Sequence, residues 1–186
     1  MSRAKRTVEE PEVLYDGTSG DPTVIWFDPG GVSGWCVFSI HPEALVDPQC
    51  LLLQNVTHFA CGQFVGTEFD MVDQMLELCD IWPGAAVGTE QFKLRKFSQD
   101  DNLLVLVRLN AALAYELRRH RERRLWRQSP SLAFTTVNES RLKAWGYWEP
   151  TIGQKDARAA VQHGLTFLKR LKTQPKLRAE AFPSVG

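Results

Sequence analysis

VIWFDPGGVSGWCVFSI, residues 24–40, reads as a strand, a carboxylate, a glycine turn and a returning strand. Val24, Ile25, Trp26 and Phe27 form an unbroken apolar run, the pattern of a strand covered on both faces. Asp28 stands where the run stops. Pro29, Gly30, Gly31 and Gly34 then turn the chain back, glycine reaching backbone angles closed to other residues. From Trp35 to Ile40 the β-rich pattern resumes, so the unit is predicted to be a hairpin.

Asp before Pro-Gly commonly does no more than open a polar turn. A second carboxylate placed in the same way changes the reading. Ala85–Thr89 is another short, small-to-apolar segment, entered through Pro83-Gly84, and Glu90 follows it directly. Two acids, each at the end of a buried strand, need a partner or a metal to offset their desolvation. Asp28 and Glu90 are therefore the first candidate site residues.

At 186 residues and 44% hydrophobic content the chain can bury one ordinary α/β core. The expected division is a mobile arm over 1–22, a single domain over 23–172 and a flexible, proline-bearing tail over 173–186. Cys36, Cys50, Cys61 and Cys79 lie in separate elements without a CxxC pair, and read as reduced residues rather than a zinc site. The N-terminal MSRAKRTVEEPE has no apolar signal region and no run reaches transmembrane length, so a soluble protein of the cytoplasm is expected.

The formal net charge of zero conceals a segregation. Residues 1–90 carry 3 Lys and Arg against 14 Asp and Glu, residues 91–127 carry 10 against 4, and residues 128–186 carry 9 against 4. A chain that turns basic after its second acid can present one face to a polyanion, although solvated helix faces would give the same counts.

After the hairpin, Cys50–Val56 and His58–Phe64 are predicted as further strand, completing an antiparallel meander. A helix capped by Thr67 follows, its apolar stripe read as Phe69, Val72, Met75, Leu76 and Cys79, and Trp82-Pro83-Gly84 ends it. From Asn102 to about Arg124 Leu103, Leu106, Val107, Asn110, Leu113, Ala114 and Leu117 recur at helical spacing, ending in RRHRERR, where cations also suit the helix dipole. Leu125–Arg127 reads as a short strand, Ser129-Pro130-Ser131 as a turn and Asn138–Leu142 as the start of a short helix broken at Gly146. The last helix spans Gln154–Lys172. Its buried face is read as Ala157, Ala160, Val161, Gly164, Leu168 and Leu171, with Arg158, Gln162 and Lys169 toward solvent. Asp156, Ala159 and His163 share one flank of it.

Strand ends carrying Asp28 and Glu90, and a helix across the sheet carrying Asp156, can bring three carboxylates together. Hard oxygen ligands suit Mg²⁺ or Mn²⁺, and two such ions activate water and stabilise a leaving oxygen in phosphodiester hydrolysis. Three motifs now fall into order: DPGGVSGW at 28–35, TEQF at 89–92 and DARAAVQHGLTFL at 156–168. Together they resemble the RuvC-type Holliday junction resolvases of the ribonuclease H-like superfamily, in the form carried by bacteriophages. The resemblance covers roughly residues 23–171.

It implies an α/β fold with a mixed five-stranded sheet flanked by helices, and a homodimer that cuts four-way DNA junctions symmetrically with two Mg²⁺ or Mn²⁺ ions per site. It implies no membrane association and no nucleotide cofactor, and, for a viral protein, action in the host cytoplasm. Carried over by position, Asp28, Glu90 and Asp156 are the catalytic metal ligands, while Phe92, Lys93, Arg95, Lys96 and Lys155 lie toward DNA. One position departs from the pattern. The family's last helix carries two ligands three residues apart, and the second falls here on Ala159. Either three acids suffice, or an aspartate has been replaced; the match of everything around Ala159 favours replacement. His163, one turn further on, is a candidate support for the site or simply structural.

Two other classes remain in view. A fold of this kind that has lost turnover and only holds branched DNA is supported by Ala159. An actin-like ATPase would need a second glycine-rich phosphate loop and a longer chain, and no GxxxxGK[ST] loop is present.

Overall fold

The computed structural model describes residues 20–91 and 101–185. Strand β1 (Thr23–Asp28) pairs antiparallel with β2 (Ser33–Ile40), and β2 pairs antiparallel with β3 (Val56–Phe64). Strands β4 (Ala86–Glu90) and β5 (Leu125–Gln128) add in parallel on the other side of β1, giving the order β3-β2-β1-β4-β5. The opening meander is thus present. The segment before its third strand differs from expectation, since Leu52–Asn55 forms a 3-10 turn and strand begins only at Val56.

Val24, Ile25, Trp26 and Phe27 are all 0% exposed, because both faces of β1 are covered. Strand alternation sends Val24 and Trp26 to a face shared with Cys36 and Phe38, and Ile25 and Phe27 to the other, with Val37. A short helix α1 (Glu43–Val46) follows β2, and α2 (Glu68–Ile81) and α3 (Asp101–Arg121) flank β4 in the chain. After β5 come α4 (Pro130–Thr136), α5 (Glu139–Ala144) and α6 (Lys155–Thr173). The first face of the sheet receives α6, which lies over β1 and β2, with α1, α4 and α5 completing that side. The second face receives α2 and α3.

Thr67 caps α2 as expected, in a reciprocal capping box with Asp70. The inward face of α2 is Met71, Met75, Leu78 and Cys79, and Phe69, read from sequence as part of the stripe, is 82% exposed. In α6 Gln162 is buried rather than solvent-facing, its amide donating to the Val137 carbonyl at 2.7 Å. Pro130, read as part of a turn, opens α4 at its first position, where the missing N–H has no intrahelical partner to lose. Residues 175–181, expected in a flexible tail, form α7 (Pro175–Ala181); Phe182 after it is buried in the α6-side core, and Arg178 donates to the Leu45 carbonyl at 2.7 Å. Most of the expected N-terminal arm, residues 1–19, lies outside the described residues. Among the described residues no helix is long and apolar enough to cross a membrane.

Two glycines set how close the layers approach. A Cβ on Gly34 would stand 2.0 Å from the Asp156 carbonyl oxygen, so only glycine lets the first turn of α6 rest on β2 beside Asp28, which is paired with Gly34. A Cβ on Gly88 would stand 2.1 Å from the Trp26 ring, which therefore lies flat over β4.

Candidate active site

Asp28 and Glu90 end neighbouring parallel strands, in register one step beyond the pair Phe27–Thr89. Alternation from Trp26 and Gly88 puts both carboxyl groups on the α6 face. They meet there: the Asp28 carboxyl hydrogen-bonds the Glu90 carboxylate. Burial, then the charge and hydrogen bond of Glu90, then the charge of Asp156 push Asp28 up to about 8, against the opposing charge of Lys155. Burial also raises Glu90, while the bond from Asp28 pulls it back. Burial beside Glu90 therefore favours the protonated form of Asp28 at neutral pH.

Asp156 enters from the first turn of α6, held over β2 by the Gly34 contact. Its Oδ2 accepts from Gln63 Nε2 at 2.9 Å, and Gln63 is opposite Gly34 in the β2–β3 ladder. The three predicted carboxylates thus share one end of the sheet, but with different partners. Among the described residues no three His, Cys, Asp or Glu side chains are close enough to enclose a metal ion. As a pair, Asp28 and Glu90 nevertheless fit one. They are two half-buried hard-oxygen donors whose mutual repulsion is relieved by a proton, and a divalent cation relieves the same repulsion.

Ala159 lines a cavity of about 500 Å3 with Phe134, Asn138, Glu139, Lys155, Arg158 and Gln162. Arg158 is occupied, stacked 3.8 Å from the Trp148 ring and donating to the Thr151 carbonyl at 3.1 Å. Lys155 is exposed, and its charge is felt at Asp28. Phe92, Lys93, Arg95 and Lys96 lie outside the described residues.

His163 is fully buried, two turns beyond Asp156, with Nε2 3.9 Å from Glu90 Oε2. That distance does not make an ion pair, because burial pushes the imidazole down to about 4 and leaves it neutral. Trp26 stacks on the ring, and Gln128 at the end of β5 contacts Nδ1 at 3.2 Å. Neither Gln63 nor Gln128 is marked by any sequence motif. Each sits on a strand as an ordinary polar residue, and only the pairing of β3 with β2, and of β5 with β4, brings it to the site.

No family model and no curated protein matches the sequence. The structure is similar to that of Thermus thermophilus RuvC in complex with a Holliday junction substrate, with a TM-score of 0.57 at 13% identity over 82% of this chain and 96% of that one. A second Thermus thermophilus RuvC structure aligns with a TM-score of 0.53, again at 13% identity, over 81% of this chain and 96% of that one. At this identity the likeness is one of fold, and it matches the ribonuclease H-like architecture expected from the motifs: a mixed five-stranded sheet flanked by helices.

Proposed function

We propose that this chain is a divalent-metal-dependent endonuclease acting on branched DNA, a RuvC-like resolvase of the bacteriophage form working as a homodimer. The observation that carries the reading is the Asp28–Glu90 pair, two part-buried carboxyl groups side by side at the ends of adjacent parallel strands, with Asp156 arriving on the helix laid across them. A fold stabilised by burying apolar side chains gains nothing from such a pair; its use is to bind a cation. The fold likeness to a RuvC bound to a Holliday junction supports branched DNA as the substrate class.

Asp28 and Glu90 would hold Mg²⁺ or Mn²⁺, and Asp156 would join them as third ligand by moving toward the pair. When bound, the metal would lower the pKa of a water and neutralise charge at the scissile phosphate. The protein's own part is to keep Asp28 and Glu90 side by side, to hold Asp156 through Gln63, and to place Lys155 where it favours ionised Asp28. Phe92, Lys93, Arg95 and Lys96, directly after Glu90 in the chain, are proposed to meet the DNA.

A second reading, a branched-DNA-binding module with impaired turnover, is favoured by Ala159 at the position of a fourth acid and by the absence of an enclosing ligand set among the described residues. Incubating a labelled four-way junction and a linear duplex of the same sequence with the protein, with and without Mg²⁺ or Mn²⁺, separates them. Metal-dependent symmetric nicks in the junction alone support the nuclease. Tight junction binding without nicks supports the module, and equal affinity for both DNAs sinks both.

A further inference from the structure

Beside the carboxylates lies a buried polar atom without a hydrogen-bond partner. His163 Nε2 has no hydrogen bond, although the residue is 0% exposed. A buried donor or acceptor left unmade is uncommon enough to require an explanation.

The proton on this ring can be placed from its neighbours. Gln128 Nε2 lies 3.2 Å from the His163 carbonyl oxygen and 3.2 Å from His163 Nδ1, while Gln128 Oε1 lies 3.4 Å from Arg170 Nη1. A carbonyl oxygen only accepts and a guanidinium only donates, so the amide has one orientation, nitrogen toward His163 and oxygen toward Arg170. Nδ1 then faces an NH₂ group and has to accept. A neutral imidazole carries a single proton, which is left on Nε2. The nearest carboxylate to that nitrogen is Glu90, whose Oε2 is 3.9 Å away, beyond hydrogen-bond reach.

Aromatic neighbours pack against the ring on two sides. Trp26 lies parallel to it, with an interplanar angle of 8° and centroids 5.6 Å apart, and Phe134 meets it edge-on at 6.1 Å. Trp26 is itself held by the close approach of Gly88.

We propose that His163 is a positioning residue for Glu90: its Nε2–H donates to the Glu90 carboxylate when that carboxylate engages a cation, and a nitrogen that keeps its proton is not a metal ligand. His163 therefore does not stand in for the carboxylate missing at Ala159. Its role is to restrain the second acid of the pair, and Gln128 and Arg170 are the residues that set its tautomer. This assignment rests on the reading of Asp28 and Glu90 as a metal-binding pair.

The test is a long-range proton–nitrogen NMR spectrum of the histidine rings in the full chain, without metal and with saturating Mg²⁺, using His163→Phe to identify the His163 signals. The expected pattern is an unprotonated Nδ1 and a protonated Nε2 in both states, with the Nε2 proton moving downfield on Mg²⁺ addition and failing to move in Glu90→Ala. A proton on Nδ1, or loss of the Nε2 proton when Mg²⁺ binds, would overturn the proposal. Kinetics give a second arm on junction DNA: His163→Phe, which keeps an aromatic ring against Trp26, should lower kcat about 10–100-fold at unchanged KM, and His163→Gln, which restores an N–H, should recover part of it. An active enzyme that loses nothing in His163→Phe overturns the positioning role even if the tautomer is as stated. A chain that cuts no branched DNA yet shows the Glu90-dependent proton shift refutes the nuclease reading and leaves the His163–Glu90 pairing in place.

Discussion

Asp28 is the residue on which the proposed chemistry turns, and its perturbation gives a pH signature. Its folded-state value is about 8 against an ordinary 3.8, so the neutral acid is favoured by folding. A raised acid contributes stability that is fully present below the unfolded value and is lost as pH climbs through the folded one. The metal-free protein should therefore lose stability between about pH 4 and pH 8. Asp28→Asn, which cannot ionise, should flatten that slope and raise Tm at pH 8, at about 2–4 °C for each kcal/mol recovered. Thermal melts in EDTA from pH 4.5 to 8.5 check this, and a wild-type Tm no lower at pH 8 than at pH 5 would contradict it. Mg²⁺ should raise Tm more at pH 8 than at pH 5, since the cation competes with the proton for the pair. The same substitution should abolish cleavage while leaving junction affinity within a few fold, because affinity comes mainly from binding to phosphates. Ala159→Asp tests the departure in α6: a carboxylate three residues from Asp156 lies on the same helix flank and should raise metal-dependent cleavage. An unchanged rate would mean that the acids already present suffice.

Among elements, α6 is the one whose position makes the site. It contributes Asp156 and His163 and rests on β2 only because residue 34 has no Cβ. Gly34→Ala should lift its first turn off the sheet and cost about 1–3 kcal/mol, the usual range for overpacking. Urea denaturation measures this, and wild-type stability in the variant would show that the helix can shift freely. The end of α3 and the start of β5 form a different surface. Arg118 and Arg127 line a cavity of about 480 Å3 together with Arg123 and Arg124. Arg123 is committed to the carbonyls of Cys79 and Ala85, and Arg124 to Glu180. Arg118, Arg119 and Arg127 are exposed and make no ion pair or hydrogen bond among the described residues. If a DNA arm reaches this edge, replacing these three by alanine should make the log–log salt dependence of junction binding shallower by about 0.9 for each phosphate that is no longer neutralised. An unchanged slope would confine DNA to the carboxylate end of the sheet.

For the whole molecule, symmetric resolution of a four-way junction requires two sites related by a two-fold axis. Light scattering at micromolar concentration should therefore give the mass of a dimer, twice the 21.1 kDa of the chain. A monomer, alone and with junction DNA, would remove symmetric cutting and leave an enzyme that makes single nicks. The monomer fold already brings all three predicted carboxylates to one end of the sheet.

Local pattern is enough to place the hairpin, its turn, the two parallel strands and the acids along the chain, although it also reads strand into Leu52–Asn55, which forms a 3-10 turn. A fully apolar run ends at Asp28, glycines reverse the chain, and helical spacing returns in α3 and α6; none of these signals needs a distant residue. Which way a helix faces is not legible in the same way. Phe69 fits the apolar stripe of α2 by spacing yet points to solvent, and Gln162 fits the polar flank of α6 yet is buried, because a periodic pattern with several apolar candidates leaves the rotation of the helix to its packing partner. The polar residues around the carboxylates also come from the fold. Gln63 reaches Asp156 across 93 residues of chain and Gln128 reaches His163 across 35, and nothing in either neighbourhood marks those glutamines as different from a solvated strand residue. That burial beside Glu90 favours the neutral form of Asp28 is likewise a property of the assembled layers. A carboxyl group's state depends on how much water the fold removes and which charge it places alongside, and both are fixed when α6 closes over β1 and β4.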